Sequence, residues 1–139
     1  MRNSEFGMRN EPDLKRRTKA FALRILKLVD ALPKTTAGRA LASQIVRSGT
    51  SVAANYRAAC RARSTADFIA KMGIVEEEAD ETLFWLELLE ESELMPAAKL
   101  AAIKQEANEL IAITVASIKT ARRNRGSNSA LRIPHSAFE

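Results

Sequence analysis

The stretch Ala40–Arg63 constrains the fold most, because it carries two different faces on one helix. Placed at about 100° per residue, its apolar side chains share one side, namely Leu41, Ile45, Val52, Tyr56 and Ala59. Its cationic side chains and the preceding arginine share the opposite side, namely Arg39, Arg47, Arg57 and Arg61. The apolar seam predicts a helix that packs in a bundle, and the row of arginines is the best functional clue in the chain.

Three further stretches show the same helical period and are separated by short breaks. They run from Pro12 to about Pro33, from Thr65 to about Ser92, and from Pro96 to a frayed end at 122–126. Thr35 or Thr36 is the predicted N-cap of helix two, and Ser64 that of helix three. Short joins between neighbours predict an all-α, antiparallel up-down-up-down four-helix bundle. A three-helix arrangement with one long bent helix and a coiled-coil dimer are the alternatives.

The predicted seams of the other helices are apolar and regularly spaced. They comprise Leu14, Phe21, Ile25, Leu28 and Leu32 in helix one; Phe68, Met72, Val75, Ala79, Leu83 and Leu86 in helix three; and Leu100, Ile103, Ala107, Leu110, Ile111, Thr114 and Ile118 in helix four. We assign residues 9–125 to this bundle. Residues 1–8 are interpreted as an expression scar or a disordered segment, and residues 126–139 as a flexible C-terminal tail.

Length, cysteine content and hydropathy limit the number of domains and the cellular compartments that are compatible with this chain. A chain of 139 residues suits one domain. It has no apolar run long enough for a membrane span and no apolar N-terminal signal segment. A single cysteine, Cys60, fits a reducing compartment. We therefore expect a cytoplasmic protein without membrane association.

Charge is unevenly distributed along the chain. Residues 1–63 hold 14 Lys/Arg against 4 Asp/Glu, residues 64–110 hold 3 against 12, and residues 111–139 hold 5 against 1. The third helix is thus acidic and its neighbours are basic. Opposite charges pair across the grooves between helices in one interpretation, and a basic surface attracts polyanions in the other. The two interpretations are compatible.

The sequence offers no catalytic constellation. A di-metal site in a bundle needs Glu-x-x-His motifs on two helices, whereas the single histidine, His135, lies near the C-terminus. Cys60 and the serines have no core histidine to act as a base. Glycine-rich phosphate loops and paired metal ligands are also missing. We expect a protein that is not an enzyme and has no metal or other cofactor.

Two sets of surface residues remain for binding. Arginine donates two hydrogen bonds from one planar group to a phosphate, so the basic set is predicted to bind RNA or DNA backbones. It comprises Lys15, Lys19, Arg39, Arg47, Arg57, Arg61, Arg122 and Arg123. The second set is apolar but lies outside the seam of helix three, and comprises Ile74, Phe84, Trp85 and Leu88. Either a wide core or an interface with another subunit would cover it.

Three segments resemble a known bacterial family. They are Arg47–Asn55, Arg61–Ile69 and Glu77–Leu86. Together they are similar to the four-helix-bundle proteins of intervening sequences in large-subunit ribosomal RNA genes, and to the related accessory variability determinant of diversity-generating retroelements. The resemblance runs from about Arg17 to Arg122.

That resemblance implies a homopentameric bundle. For the accessory branch it also implies nucleic-acid binding and association with a reverse transcriptase. Our expectation is a non-enzymatic homo-oligomer that binds nucleic acid, RNA in particular, through its basic surface. The alternative is a protein-interaction scaffold, for example a reverse-transcriptase accessory subunit, whose arginines serve subunit or partner contacts.

Overall fold

The computed structural model describes the backbone of residues 11–136 and the side chains of residues 13–126. The chain forms four helices, α1 (Glu11–Asp30), α2 (Thr36–Cys60), α3 (Thr65–Glu91) and α4 (Ala97–Ser136). Each helix packs against the next one along the chain, whereas α1 and α4 share a much smaller contact. The predicted all-α four-helix bundle is confirmed. The segment interpreted as an expression scar lies outside the described residues.

Local signals define the joins between the helices. α1 ends at Asp30, ahead of Pro33, which disfavours helical geometry in the residue before it. The Gly38 amide donates a hydrogen bond of 3.1 Å to the Thr35 hydroxyl, which identifies Thr35 as the N-cap of α2. The Asp67 amide donates to the Ser64 hydroxyl at 3.0 Å and caps α3 in the same way. Helices two and three are therefore separate and joined by a tight turn.

The apolar seams predicted from the sequence form the core, but the helices are rotated slightly from the predicted orientation, so some seam residues lie at the edge of the core. Leu28, Leu83 and Ile111 are half-buried rather than buried. In α3 the neighbouring Thr82 takes the buried position, and its hydroxyl lies 2.8 Å from that of the buried Ser48 in α2. A second bond of 2.7 Å joins the Thr82 hydroxyl to the Glu78 carbonyl. Because these bonds satisfy the hydroxyl, threonine can occupy this core position.

Helices α1 and α2 approach closely at Gly49. A Cβ atom added to Gly49 would lie 2.8 Å from Cγ1 of Ile25, a side chain with no exposed surface. The contact therefore requires a residue without a side chain. It holds the middle of α1 tightly against α2.

Helix α4 is longer than predicted. Its α-helical backbone continues to Ser136, so Gly126 lies within the helix and does not close it. One glycine in a helix costs only about 1 kcal/mol relative to alanine, which neighbouring good helix formers can offset. Mobility of residues 126–139 stays a prediction. Among the described residues, no helix combines the length and apolarity that crossing a membrane would require.

Candidate nucleic-acid interface

The described surface contains a groove of about 660 Å³ between α1 and α2 with a basic lining. Its cations come from both helices, namely Lys15, Arg16, Lys19, Arg57 and Arg61. They meet because α1 and α2 are antiparallel, which places the N-terminal half of α1 beside the C-terminal half of α2. Two predicted residues from each helix are thus brought into one site. Arg16 is a member that the sequence interpretation did not include.

Several groove cations have no acidic partner in the part of the chain that the structure describes. Lys19, Arg57 and Arg61 are exposed, and the ion pairs between described side chains do not involve them. Arg16 has only an exposed contact of 3.5 Å with Asp13. A cluster of cations without neutralising carboxylates is an electropositive site that attracts anions.

Part of the groove lining is neutral and buried. Thr18 and Tyr56 line the groove, and both are almost completely buried. The Thr18 hydroxyl donates a hydrogen bond of 2.8 Å to the Leu14 carbonyl within α1. Because the Tyr56 ring is only 1% exposed, it offers no open face for stacking on a base. Among the residues that line the groove, Tyr56 therefore provides no stacking platform, and the cationic side chains are the groups that a ligand would meet.

Arg47 does not belong to this groove. Its guanidinium forms ion pairs with Glu78 at 3.2 Å and with Glu81, both on α3. The Glu81 carboxylate also accepts a hydrogen bond of 3.1 Å from the indole of Trp85. Arg47, and to a lesser extent Trp85, hold the pKa of Glu81 below its ordinary value. The single row of arginines predicted on α2 is thus split, and Arg47 follows the alternative interpretation of ion pairing with the acidic helix.

The other predicted basic residues also lie outside the groove. Arg39 is exposed in the first turns of α2, 18 residues and therefore about 27 Å along the helix from Arg57. Arg122 and Arg123 are exposed on α4. None of these three lines the groove, so a nucleic acid would need to extend along the surface to reach them.

A separate cluster of charges joins α1 to α4. Arg17 donates from Nε and Nη2 to the two carboxylate oxygens of Glu106, at 3.0 and 2.8 Å, and from Nη2 to Glu109 at 2.8 Å. These contacts, led by the bond to Glu106, raise the pKa of Arg17 further above its ordinary value. The paired geometry supports the small α1–α4 contact and leaves Arg17 unavailable to a ligand.

The predicted interface residues on α3 differ in their environments. Ile74 and Phe84 are exposed, whereas Trp85 and Leu88 are half-buried. Trp85 packs against the buried core of its own chain, and its ring lies 5.1 Å from that of Phe84. The core therefore covers part of this set, and the outer part stays open to solvent.

Comparison with known proteins places the chain in a family. The family model described as 23S rRNA-intervening sequence protein matches residues 11–116, which comprise three complete helices and half of α4. The chain belongs to the 23S rRNA-intervening sequence protein family. No curated protein matches the chain.

Among described side chains, no three His, Cys, Asp or Glu residues gather where they could hold a metal ion.

One protein of known structure, whose description is related, has the same fold. It is a protein of unknown function from the S23 ribosomal protein family of Bacteroides thetaiotaomicron. The two chains are 36% identical and superpose with a TM-score of 0.75, over 79% of this chain and 98% of the other. The resemblance to the ribosomal intervening-sequence proteins is thus confirmed. Neither match describes an enzyme, and neither tests the link to retroelement accessory proteins.

Proposed function

We propose that this member of the 23S rRNA-intervening sequence protein family is a non-enzymatic, homo-oligomeric bundle that binds nucleic acid through the α1–α2 groove. The observation that carries the proposal is the convergence of Lys19, Arg57 and Arg61 without carboxylate partners among the described residues. RNA is the preferred ligand class because the name of the family refers to 23S rRNA. The pentameric state and the cytoplasmic location remain parts of this proposal.

The geometry supports contacts to successive phosphates of one strand. Arg57 lies in the last turn of α2 and Arg61 is its C-cap residue, four positions further along the chain and about 6 Å along the helix axis. Lys19 lines the opposite wall of the same groove. Arginine forks fix the orientation of a phosphate, while lysine adds an adaptable point charge. Binding of this kind is independent of base sequence and sensitive to salt.

The experiment compares two triple variants in binding to a fluorescent single-stranded RNA. Lys19→Gln/Arg57→Gln/Arg61→Gln removes three groove cations, and we expect a loss of affinity on the order of 100-fold at low salt, about 1 kcal/mol for each contact. The control removes equal charge from exposed lysines outside the groove, namely Lys34→Gln/Lys99→Gln/Lys119→Gln. Equal losses in both variants would refute a localised site.

A single substitution of Arg47 tests whether this residue belongs to the RNA-binding site. Because Glu78 and Glu81 already bind its guanidinium, Arg47→Gln is expected to leave RNA affinity within about twofold of the wild-type value. A loss as large as that of the groove variant would mean that Arg47 exchanges its carboxylate partners for phosphates. The single row of arginines would then be the correct description of the site.

A protein-interaction scaffold is the second candidate, and the exposure of Ile74 and Phe84 favours it. Under this alternative, which includes a reverse-transcriptase partner, the arginines serve subunit or partner contacts. The groove variant would then dissociate the oligomer, visible as a fall in mass by light scattering. Under the nucleic-acid proposal the oligomer keeps its mass.

A further inference from the structure

Helix α4 extends well beyond the rest of the bundle. It has 40 residues, whereas α1, α2 and α3 have 20, 25 and 27. The last buried residue among its described side chains is Ala121, and its α-helical backbone continues to Ser136. At 1.5 Å per residue, residues 122–136 span about 22 Å. We call residues 122–136 the α4 arm.

The α4 arm is cationic. It contains no aspartate or glutamate, and its basic residues are Arg122, Arg123, Arg125 and Arg132. The first three of these arginines are exposed, and the ion pairs between described side chains do not involve them. A run of cations without neutralising carboxylates attracts a polyanion.

The stability of the bundle does not account for these arginines. Cations in the last turn of a helix interact favourably with its dipole, but the backbone of α4 continues for about three turns beyond Arg125. The side chains of residues 122–126 are all exposed and add nothing to the core. The family model ends at residue 116, before the α4 arm begins. The arm is therefore an addition to the bundle that defines the family.

The α4 arm leaves the bundle at the end where the basic groove lies. Because α4 is antiparallel to α3, its C-terminal part passes the start of α3 at Thr65. The same end of the bundle holds the groove cations Lys15 and Arg16, near the start of α1, and Arg61, the C-cap of α2. Packed helices have axes about 8–10 Å apart, and α1 contacts both α2 and α4. A strand that leaves the groove at this end therefore needs to cross only about 20 Å to reach the arm.

We propose that the α4 arm is a second RNA-contacting element, which binds phosphates of a strand that also occupies the α1–α2 groove. This proposal rests on the nucleic-acid binding proposed above and specifies a further part of the chain that holds the RNA. The groove lining follows α2 for about 16 Å, from Thr50 to Arg61. The arm is therefore expected to contribute only when the RNA is long enough to leave the groove. Two contacts on one ligand then raise the affinity above that of either contact alone.

The experiment measures the binding of the full chain to two fluorescent oligouridines, of about 6 and about 24 nucleotides, by anisotropy at low salt. Arg122→Gln/Arg123→Gln/Arg125→Gln, the arm variant, removes three cations. We expect the arm variant to lose affinity for the long RNA on the order of tenfold, and to bind the short RNA within about twofold of the wild-type affinity. The groove variant is expected to lose affinity for both RNAs.

The matched control removes the same charge from exposed positions at the opposite end of the bundle. It is Arg24→Gln/Lys34→Gln/Lys99→Gln, and it should bind both RNAs within about twofold of the wild-type affinity. Circular dichroism checks that each variant keeps the helix content of the bundle, and light scattering checks that it keeps the wild-type mass. A loss of affinity in the arm variant then reflects the missing arginines.

Three results would overturn the arm proposal: an arm variant that binds the long RNA as tightly as the wild type does, an equal loss for both RNA lengths, or an equal loss in the control. An unchanged arm variant beside a weakened groove variant would remove the arm proposal alone. A weakened arm variant beside an unchanged groove variant would remove the groove proposal alone. A wild-type chain that binds neither RNA would remove both.

Discussion

Gly49→Ala tests the close contact between α1 and α2, which positions both walls of the groove. The new Cβ would lie 2.8 Å from Cγ1 and 3.0 Å from Cγ2 of Ile25, closer than carbon atoms normally approach. Ile25 is completely buried, so relief requires a shift of its side chain or of α1. Overpacking of this kind costs about 1–3 kcal/mol, whereas replacing glycine by alanine in a helix contributes about 1 kcal/mol of stability. The expected net effect is a loss of up to about 2 kcal/mol.

Gly73→Ala is the matched control for that substitution. Gly73 also lies inside a helix, but no atom is within 4 Å of an added Cβ. The same gain in helix propensity should therefore appear alone, as a stabilisation of about 1 kcal/mol. Urea unfolding followed by circular dichroism measures both variants. If Gly49→Ala stabilised the protein as much as Gly73→Ala, the proposed close approach of α1 and α2 would be wrong.

Two further predictions concern ion pairs. Arg17→Gln removes the ion pairs between α1 and α4 and should lower the free energy of unfolding, measured by urea denaturation, by about 1–2 kcal/mol. The control Arg16→Gln loses only an exposed ion pair and should change the free energy of unfolding by less than about 0.5 kcal/mol. Equal effects would contradict the role of Arg17. Arg47 lowers the pKa of Glu81 below its ordinary 4.5, so the resulting stability is present above about pH 4.5 and is lost as the pH falls through the lower, folded-state pKa. Glu81→Gln should therefore reduce the acid dependence of thermal unfolding, and an unchanged dependence would exclude this pair as its source.

Much of the fold could be predicted because it depends on local signals. The 3.6-residue period identified the four helices, and Thr35 and Ser64 cap α2 and α3 as expected. Short joins required antiparallel neighbours, which in turn brought Lys15 and Lys19 beside Arg57 and Arg61. These features depend on residues that are close in sequence or on the simplest topology.

The remaining features depend on the rotation and register of packed helices. Whether Arg47 faces solvent or the carboxylates of α3 depends on how α2 and α3 align, which the period of either helix alone leaves open. The same rotation buries Thr82 where Leu83 was expected. The exposure of Leu23 and Leu26 on α1 could not be predicted, because the period of a helix does not determine which of its apolar residues the neighbouring helices cover.

The salt dependence of RNA binding tests the central claim most directly. Between three and five groove cations would contact phosphates, and each contact to a single strand contributes about −0.7 to the slope of log affinity against log salt concentration. Fluorescence anisotropy between 50 and 200 mM salt, a range of about 0.6 log units, should thus give a slope of about −2 to −3.5 for the wild-type chain. A slope near zero, or no binding at the lowest salt concentration, would contradict the account.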